Sequence, residues 1–198
     1  MMKRVLPVLM AVGFLALGRT VAYADPVTFS TTGVFSVSGT NVVNFTNING
    51  TTTLTFNGTT NPVNTPAGTS FGDIVVTTTV PANLLGPAVG GTFTLNFIQV
   101  APAGSGSLVG TLDGTLGFNT GIATLSFTTT SLGIAGFTYT LNPVYTIALP
   151  VTGVGGGAGT GTTTLQGTVT GVPDGGTTIS LLGTALLGLA ALRRRFNA

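Results

Sequence analysis

The chain has 198 residues, of which 31 are Gly and 39 are Thr, and it contains no Cys, His, Trp or Glu. Charged residues make up 5% of it, against about 25% in an ordinary soluble domain. Without Cys or His, the chain can form no disulfide framework, no Ser-His-Asp triad and no metal site built on those two ligand types.

The basic residues lie only near the two ends of the chain. They are Lys3, Arg4, Arg19, Arg193, Arg194 and Arg195. Residues 25–171 carry three Asp and no basic residue, which gives this part a formal charge of −3. Nucleic-acid binding needs Lys and Arg to displace phosphate counterions, so the charge distribution excludes nucleic acid as a partner.

The first 24 residues have the order of a secretory signal peptide. Two basic residues are followed by an apolar run over 5–18, and Ala22 and Ala24 form a small-x-small cleavage site. The sequence therefore predicts an N-terminal signal helix within 1–24 that signal peptidase removes, which leaves Asp25 as the first residue of the mature protein.

Residues 25–171 alternate between apolar and Thr or Ser side chains with a period of two. Leu54 and Phe56 alternate with Thr, and so do Phe93 and Phe97. Such alternation is typical of antiparallel strands that have one face on a core and the other in water. It predicts an all-β secreted domain, an antiparallel, jelly-roll-like β-sandwich of eight to ten strands, with a β-barrel as the alternative.

Turn and loop signals separate the predicted strands. Asn49-Gly50 predicts a two-residue hairpin. Long loops are predicted over 59–70 and 101–107, and a flexible Gly-rich loop over 154–161.

The internal acidic residues give weak catalytic and metal signals. Asp113 lies in Leu-Asp-Gly-Thr, which differs from the Asp-Thr-Gly turn of aspartic proteases, and Asp73 has no acidic neighbour. A calcium site needs six or more oxygen ligands, several of them carboxylates. We therefore expect no catalytic residue, no metal and no cofactor. Tyr139 and Tyr145 share the parity of the apolar residues, so we expect them in the core rather than as platforms for sugars.

Residues 172–198 form a segment with three parts. It begins with a short motif made of Val172, Pro173, Asp174, Gly175 and Gly176. An apolar segment over 178–192 follows, and it predicts a transmembrane helix. It ends with Arg193, Arg194 and Arg195. These arginines are expected to stop transfer and to stay on the cytoplasmic side of the membrane.

This three-part tail resembles the PEP-CTERM sorting signals, which are substrates of exosortases in Gram-negative bacteria. It is most similar to the variant whose motif reads Val-Pro-Asp-Ser-Gly, with Gly175 in place of Ser. The resemblance implies recognition by a membrane-embedded exosortase-like enzyme, followed by release or transfer to the cell surface. It also implies an association with exopolysaccharide and biofilm.

The sequence as a whole predicts a signal peptide over 1–24, an exported domain over 25–171 and a sorting signal over 172–198. The expected function is that of a non-enzymatic protein of the cell surface or extracellular matrix, held transiently in the inner membrane.

Signal peptidase, an exosortase-like enzyme and extracellular polysaccharide are the expected partners. Self-association is also expected, because strands without Lys or Glu leave sheet edges weakly guarded. The alternative is a carbohydrate-binding module of the cell surface, since Thr-rich faces can form hydrogen bonds with sugars.

Overall fold

The computed structural model describes residues 26–151, 159–171, 182–189 and 193. Within them, a helix spans 182–189, and all the strands belong to one compact unit, Asp25–Val172. The strands are β1 (Val27–Phe35), β2 (Val42–Asn47), β3 (Gly50–Asn57), β4 (Thr60–Val63), β5 (Ala67–Thr78), β6 (Ala88–Ala101), β7 (Gly104–Thr115), β8 (Ala123–Phe127), β9 (Ser131–Ile134), β10 (Phe137–Leu141), β11 (Val144–Thr146) and β12 (Thr160–Gly171).

The strands form two six-stranded sheets. The order is β11-β8-β7-β6-β1-β4 in the first sheet and β2-β3-β5-β12-β10-β9 in the second. Every pair of neighbouring strands is antiparallel. The all-β, antiparallel class that the period of two predicts is therefore confirmed.

The described residues contain twelve strands rather than the expected eight to ten, and the additional ones are short. β4, β9 and β11 have three or four residues each, too few to show an alternating pattern. β4 lies within the predicted loop over 59–70, and it tolerates Pro62 because it is an edge strand. The predicted loop over 101–107 is also wrong, since only two residues separate β6 from β7.

The core lies between the two sheets and contains a cluster of four aromatic rings. Phe29 and Phe97 come from the first sheet, and Phe71 and Tyr139 come from the second. The closest ring centroids across the two sheets are 5.1 Å apart, and all four side chains are fully buried. Tilted and edge-on ring pairs at such distances are favourable. The contact between the two sheets therefore depends on this cluster.

Two inner-face positions of β1 depart from the apolar pattern. A Cβ atom on Gly33 would come within 2.5 Å of the rings of Phe56 and Phe93, so the two rings occupy the space of a side chain. Thr31 is buried, and its hydroxyl donates a hydrogen bond of 2.8 Å to the carbonyl oxygen of Phe71. The apolar inner face of β1 therefore accommodates Gly33, because the rings fill the space of its side chain, and Thr31, because its hydroxyl is hydrogen-bonded.

The predicted hairpin between β2 and β3 is present, with its loop one residue earlier than expected. Asn47 pairs with Gly50, so Ile48 and Asn49 are the loop residues. The side-chain oxygen of Asn47 accepts a hydrogen bond of 2.9 Å from the N–H of Asn49. Gly50 has a φ of +146°, a conformation that glycine adopts without a steric penalty. This turn leaves Ile48 fully exposed at the tip.

Candidate functional site

The first strand begins, and the last strand ends, at the same end of the sheets, which we call the proximal end. Phe29 in β1 pairs with Gln99 of β6. Gln99 accepts a hydrogen bond from the hydroxyl of Tyr139, and Tyr139 pairs with Val169 near the end of β12. The predicted mature N-terminus and the predicted sorting motif are therefore both joined to the proximal end.

Most of the predicted processing residues lie outside the described residues. Those outside are Ala22, Ala24, Val172, Pro173, Asp174, Gly175, Gly176, Arg194 and Arg195. Arg193 is described, and it is exposed. The last residue pair of β12 joins Gly171 to Phe137, so the paired strands end one residue before the motif.

The predicted transmembrane segment over 178–192 is described only at 182–189, where the chain is helical. In the part of the chain that the structure describes, no helix has the length and apolar character needed to cross a membrane. The short helix presents exposed leucines, namely Leu182, Leu186, Leu187 and Leu189. The remaining positions of the predicted segment, like the predicted signal helix, lie outside the described residues.

The two internal carboxylates lie in different sheets. Asp73 is in β5, and its Oδ1 accepts a hydrogen bond of 2.6 Å from the hydroxyl of Thr164. Asp113 is an exposed residue of β7. The structure therefore does not bring them together as a pair of the kind that performs acid–base chemistry. No three side chains of the Asp, Glu, His or Cys type lie close enough among the described residues to hold a metal ion.

Tyr139 and Tyr145 are core residues, as the parity predicts. The Tyr139 hydroxyl donates to Gln99 Oε1 at 2.8 Å, and Gln99 Nε2 donates to the carbonyl oxygen of Pro102 at 2.6 Å. Burial raises the pKa of Tyr139 to about 12, and it also raises the pKa of Tyr145. The buried polar atoms of Tyr139 and Gln99 are hydrogen-bonded to partners within the protein. These side chains therefore form a structural network rather than a platform for sugars.

We expect Tyr139 to make the fold less stable as the pH rises from about 10 to about 12. In the unfolded chain this hydroxyl ionises near the ordinary pKa of 10.0, whereas in the folded chain it keeps its proton up to about pH 12. Ionisation of Tyr139 therefore lowers the free energy of unfolding only above about pH 10. Urea titrations across this window should show a smaller fall in unfolding free energy for Tyr139→Phe. At neutral pH the same variant should lose about 1–3 kcal/mol, because Gln99 Oε1 loses its donor. Parallel alkaline curves for the variant and the unaltered protein would contradict the prediction.

The opposite end of the sheets, which we call the distal end, presents aliphatic side chains on its loops. They are Ile48, Leu84, Leu85, Ile122 and Val151, with exposed fractions between 43% and 101%. Polar contacts fix these loops, since the side chains of Asn47 and Asn49 donate to the carbonyl oxygen of Leu85 at 3.2 and 2.9 Å. Thr120 donates to the carbonyl oxygen of Leu84 at 2.7 Å. The distal end is thus an apolar surface on ordered loops.

The distal surface is not among the features predicted from the sequence, because turn sequences indicate only where strands end. The available signal is an apolar residue placed directly beside a turn sequence. Ile48 precedes Asn49-Gly50, and Leu84 and Leu85 follow Pro-Ala-Asn. Apolar residues in such places have no strand face to bury them.

The outer face of the second sheet carries rows of hydroxyl and amide groups. One row crosses four adjacent strands through Asn44, Thr53, Thr77 and Thr160. The Thr53 hydroxyl donates to Asn44 Oδ1 at 2.7 Å. Since neighbouring strands are about 4.7–4.9 Å apart, the row is an uncharged array of donors and acceptors at that spacing.

Residues 171–196 match the VPDSG-CTERM motif, a variant of the PEP-CTERM type of sorting signal. The resemblance inferred from the three-part tail is confirmed. The motif indicates an exported protein with a membrane-associated signal and exosortase-type processing. No curated protein and no solved structure matches the chain.

Proposed function

We propose that the chain is a non-enzymatic protein of the cell surface or extracellular matrix, whose exported part is the strand body over 25–171. Signal peptidase cleaves after Ala24, and an exosortase-like enzyme acts near Pro173. The observation that carries the proposal is the match of residues 171–196 to the sorting motif. The segment over 178–192 holds the precursor in the inner membrane until it is processed.

The position of the last strand supports cleavage within the motif. β12 ends at Gly171, where it pairs with Phe137. All the buried apolar residues of the core cluster lie between Val27 and Val169. A cut near Pro173 therefore removes no paired strand residue and no core residue, and the released body keeps its complete core.

The architecture that we assign to the body is a β-sandwich with a structural rather than a catalytic role. Its support is the ring cluster that joins the two sheets, together with the separation of the two internal carboxylates. The Asp73 carboxylate is held by Thr164 at 2.6 Å, and Asp113 lies in the other sheet.

The C-terminus of the protein recovered from cells tests the proposal. Mass spectrometry of the membrane, surface and medium fractions should find chains that begin at Asp25 and end near Pro173 or Asp174 outside the cell. A full tail that ends at Ala198 and stays in the membrane fraction would contradict exosortase-type processing and indicate a permanent anchor.

Binding to the producer's own exopolysaccharide is the second candidate function. The observation that favours it is the uncharged row of Asn44, Thr53, Thr77 and Thr160, because sugar hydroxyls pair with such groups. The purified body should be retained on that polysaccharide, and the double variant Thr53→Val, Thr77→Val should be retained less. Equal retention of the two proteins, or no retention of either, would remove this candidate.

A further inference from the structure

The two sheets have four edge strands among the described residues, and three of them have only three or four residues. In two of these three, a side chain contacts the opposite sheet. Leu132 of β9 lies over β7, where a Cβ atom on Gly106 would be 2.9 Å from it. The Tyr145 hydroxyl of β11 donates to the carbonyl oxygen of Gln166 in β12. β4 has four residues and contains Pro62. The remaining edge is β2, which has six residues.

Among the residues that the structure describes, the backbone of β2 pairs with β3 alone. The carbonyl oxygen of Asn41 accepts a hydrogen bond of 2.8 Å from the N–H of Phe56. In an antiparallel pair, such bonded positions alternate along the strand. The N–H and C=O groups of Val42, Asn44 and Thr46 therefore turn away from β3.

The first of these outward positions is already capped. The Thr40 hydroxyl accepts a hydrogen bond of 3.2 Å from the N–H of Val42 and donates one of 2.8 Å to its carbonyl oxygen. The open part of the edge therefore consists of the outward backbone groups of Asn44 and Thr46.

The side chains at the open positions do not cover the edge. Asn44 Oδ1 accepts a hydrogen bond from Thr53 at 2.7 Å, and the hydroxyl of Thr46 lies 3.0 Å from that of Thr51. Both side chains are thus engaged with β3, on the far side from the open backbone. This leaves the N–H and C=O groups accessible to another strand.

The open edge also lacks the usual protections against pairing. Residues 26–72 contain no charged side chain, and β2 contains no proline. Its register with β3 shows no bulge. Charged side chains, proline and bulges are the devices that keep edge strands apart, so nothing of that kind opposes a second strand here.

We propose that two copies of this chain join through their β2 strands as an antiparallel, two-fold pair with Phe45 opposite Phe45 of the second copy. In this register, Asn44 of each copy pairs with Thr46 of the other, so every open backbone group meets an open one. Placing Asn44 opposite itself would instead set Thr46 against the capped Val42. The same strand serves both copies, so the contact closes as a dimer. It depends on the strand body alone and is independent of the proposed processing.

Sedimentation of the body over 25–171, which contains the complete core, tests the proposal. The unaltered body should be a dimer that dissociates on dilution. Asn44→Pro removes an outward N–H and leaves the backbone hydrogen bonds to β3 in place, and Thr46→Lys places a charge on the edge. Both variants should be monomeric, whereas the control Thr77→Lys, at an exposed position of the interior strand β5, should still dimerise.

A cross-link tests the register independently. The chain contains no Cys, and residues opposite each other at a non-hydrogen-bonded position have Cα atoms about 4.5 Å apart, within the range of a disulfide. Under mild oxidation Phe45→Cys should give a covalent dimer, and the control Asn47→Cys should not. A body that stays monomeric at every concentration, an Asn44→Pro variant that dimerises like the unaltered body, or equal cross-linking at both positions would overturn the proposal.

Discussion

Phe97→Ala is expected to lower the free energy of unfolding of the strand body by about 3–5 kcal/mol. Phe97 is fully buried, and its ring centroid lies 5.1 Å from those of both Phe71 and Tyr139 in the opposite sheet. Removing this ring deletes aromatic contacts and leaves a cavity where the two sheets meet. The neighbouring rings are attached to paired strands, so they can fill the cavity only in part.

The next residue in β6 supplies a matched control. Ile98 faces the opposite side of the same strand, with 49% of its side chain exposed. Ile98→Ala should change stability by no more than about 0.5 kcal/mol. Urea unfolding followed by circular dichroism measures both variants. Equal costs for the two substitutions would contradict the assignment of Phe97 to the contact between the sheets.

Alternation along single strands could be read from the sequence because it is a local property. Phe93 and Phe97 lie on the buried parity, and so do Leu54 and Phe56. The pairing of β1 with β6 could not be read in this way. It joins Phe35 to Phe93, and nothing in the local pattern of either strand specifies its partner.

The features that sequence reasoning missed depend on context that a local pattern does not contain. Pro62 falls within the loop predicted over 59–70, and only the position of β4 at a sheet edge makes this proline compatible with a strand. Gly33 lies inside the core because rings from two other strands fill its space. The open edge of β2 likewise depends on the strand order of the second sheet, which no local pattern contains.

The sorting signal was recognisable because it is a linear signal. Its motif, apolar segment and arginines follow one another along the chain, and residues 171–196 match as one unit. A membrane enzyme that acts on such a segment can recognise residues that are adjacent in the sequence, and it does not need residues that only folding brings together. The surface properties of the strand body arise from residues far apart in sequence, such as Ile48 and Leu85, which only folding brings to the same end.

Replacing Pro173 and Asp174 by Ala is expected to abolish processing of the tail. The substitutions remove the rigid residue and the carboxylate of the motif, and they lie beyond the last strand pair at Gly171, so the body should fold unchanged. The precursor should then accumulate in the membrane fraction with its tail intact. Immunoblots and mass spectrometry of the membrane and surface fractions measure the distribution.

The control for this variant comes from the same segment. Replacing Thr177 by Ala changes the one residue between the motif and the apolar segment over 178–192, and it leaves both of them intact. This control should be processed like the unaltered protein, because it keeps the motif, the apolar segment and the arginines. A chain without residues 172–198 should be exported and never be found in the membrane fraction. If the motif variant were still cleaved and released, recognition would have to depend on the apolar segment and the arginines rather than on Pro173 and Asp174.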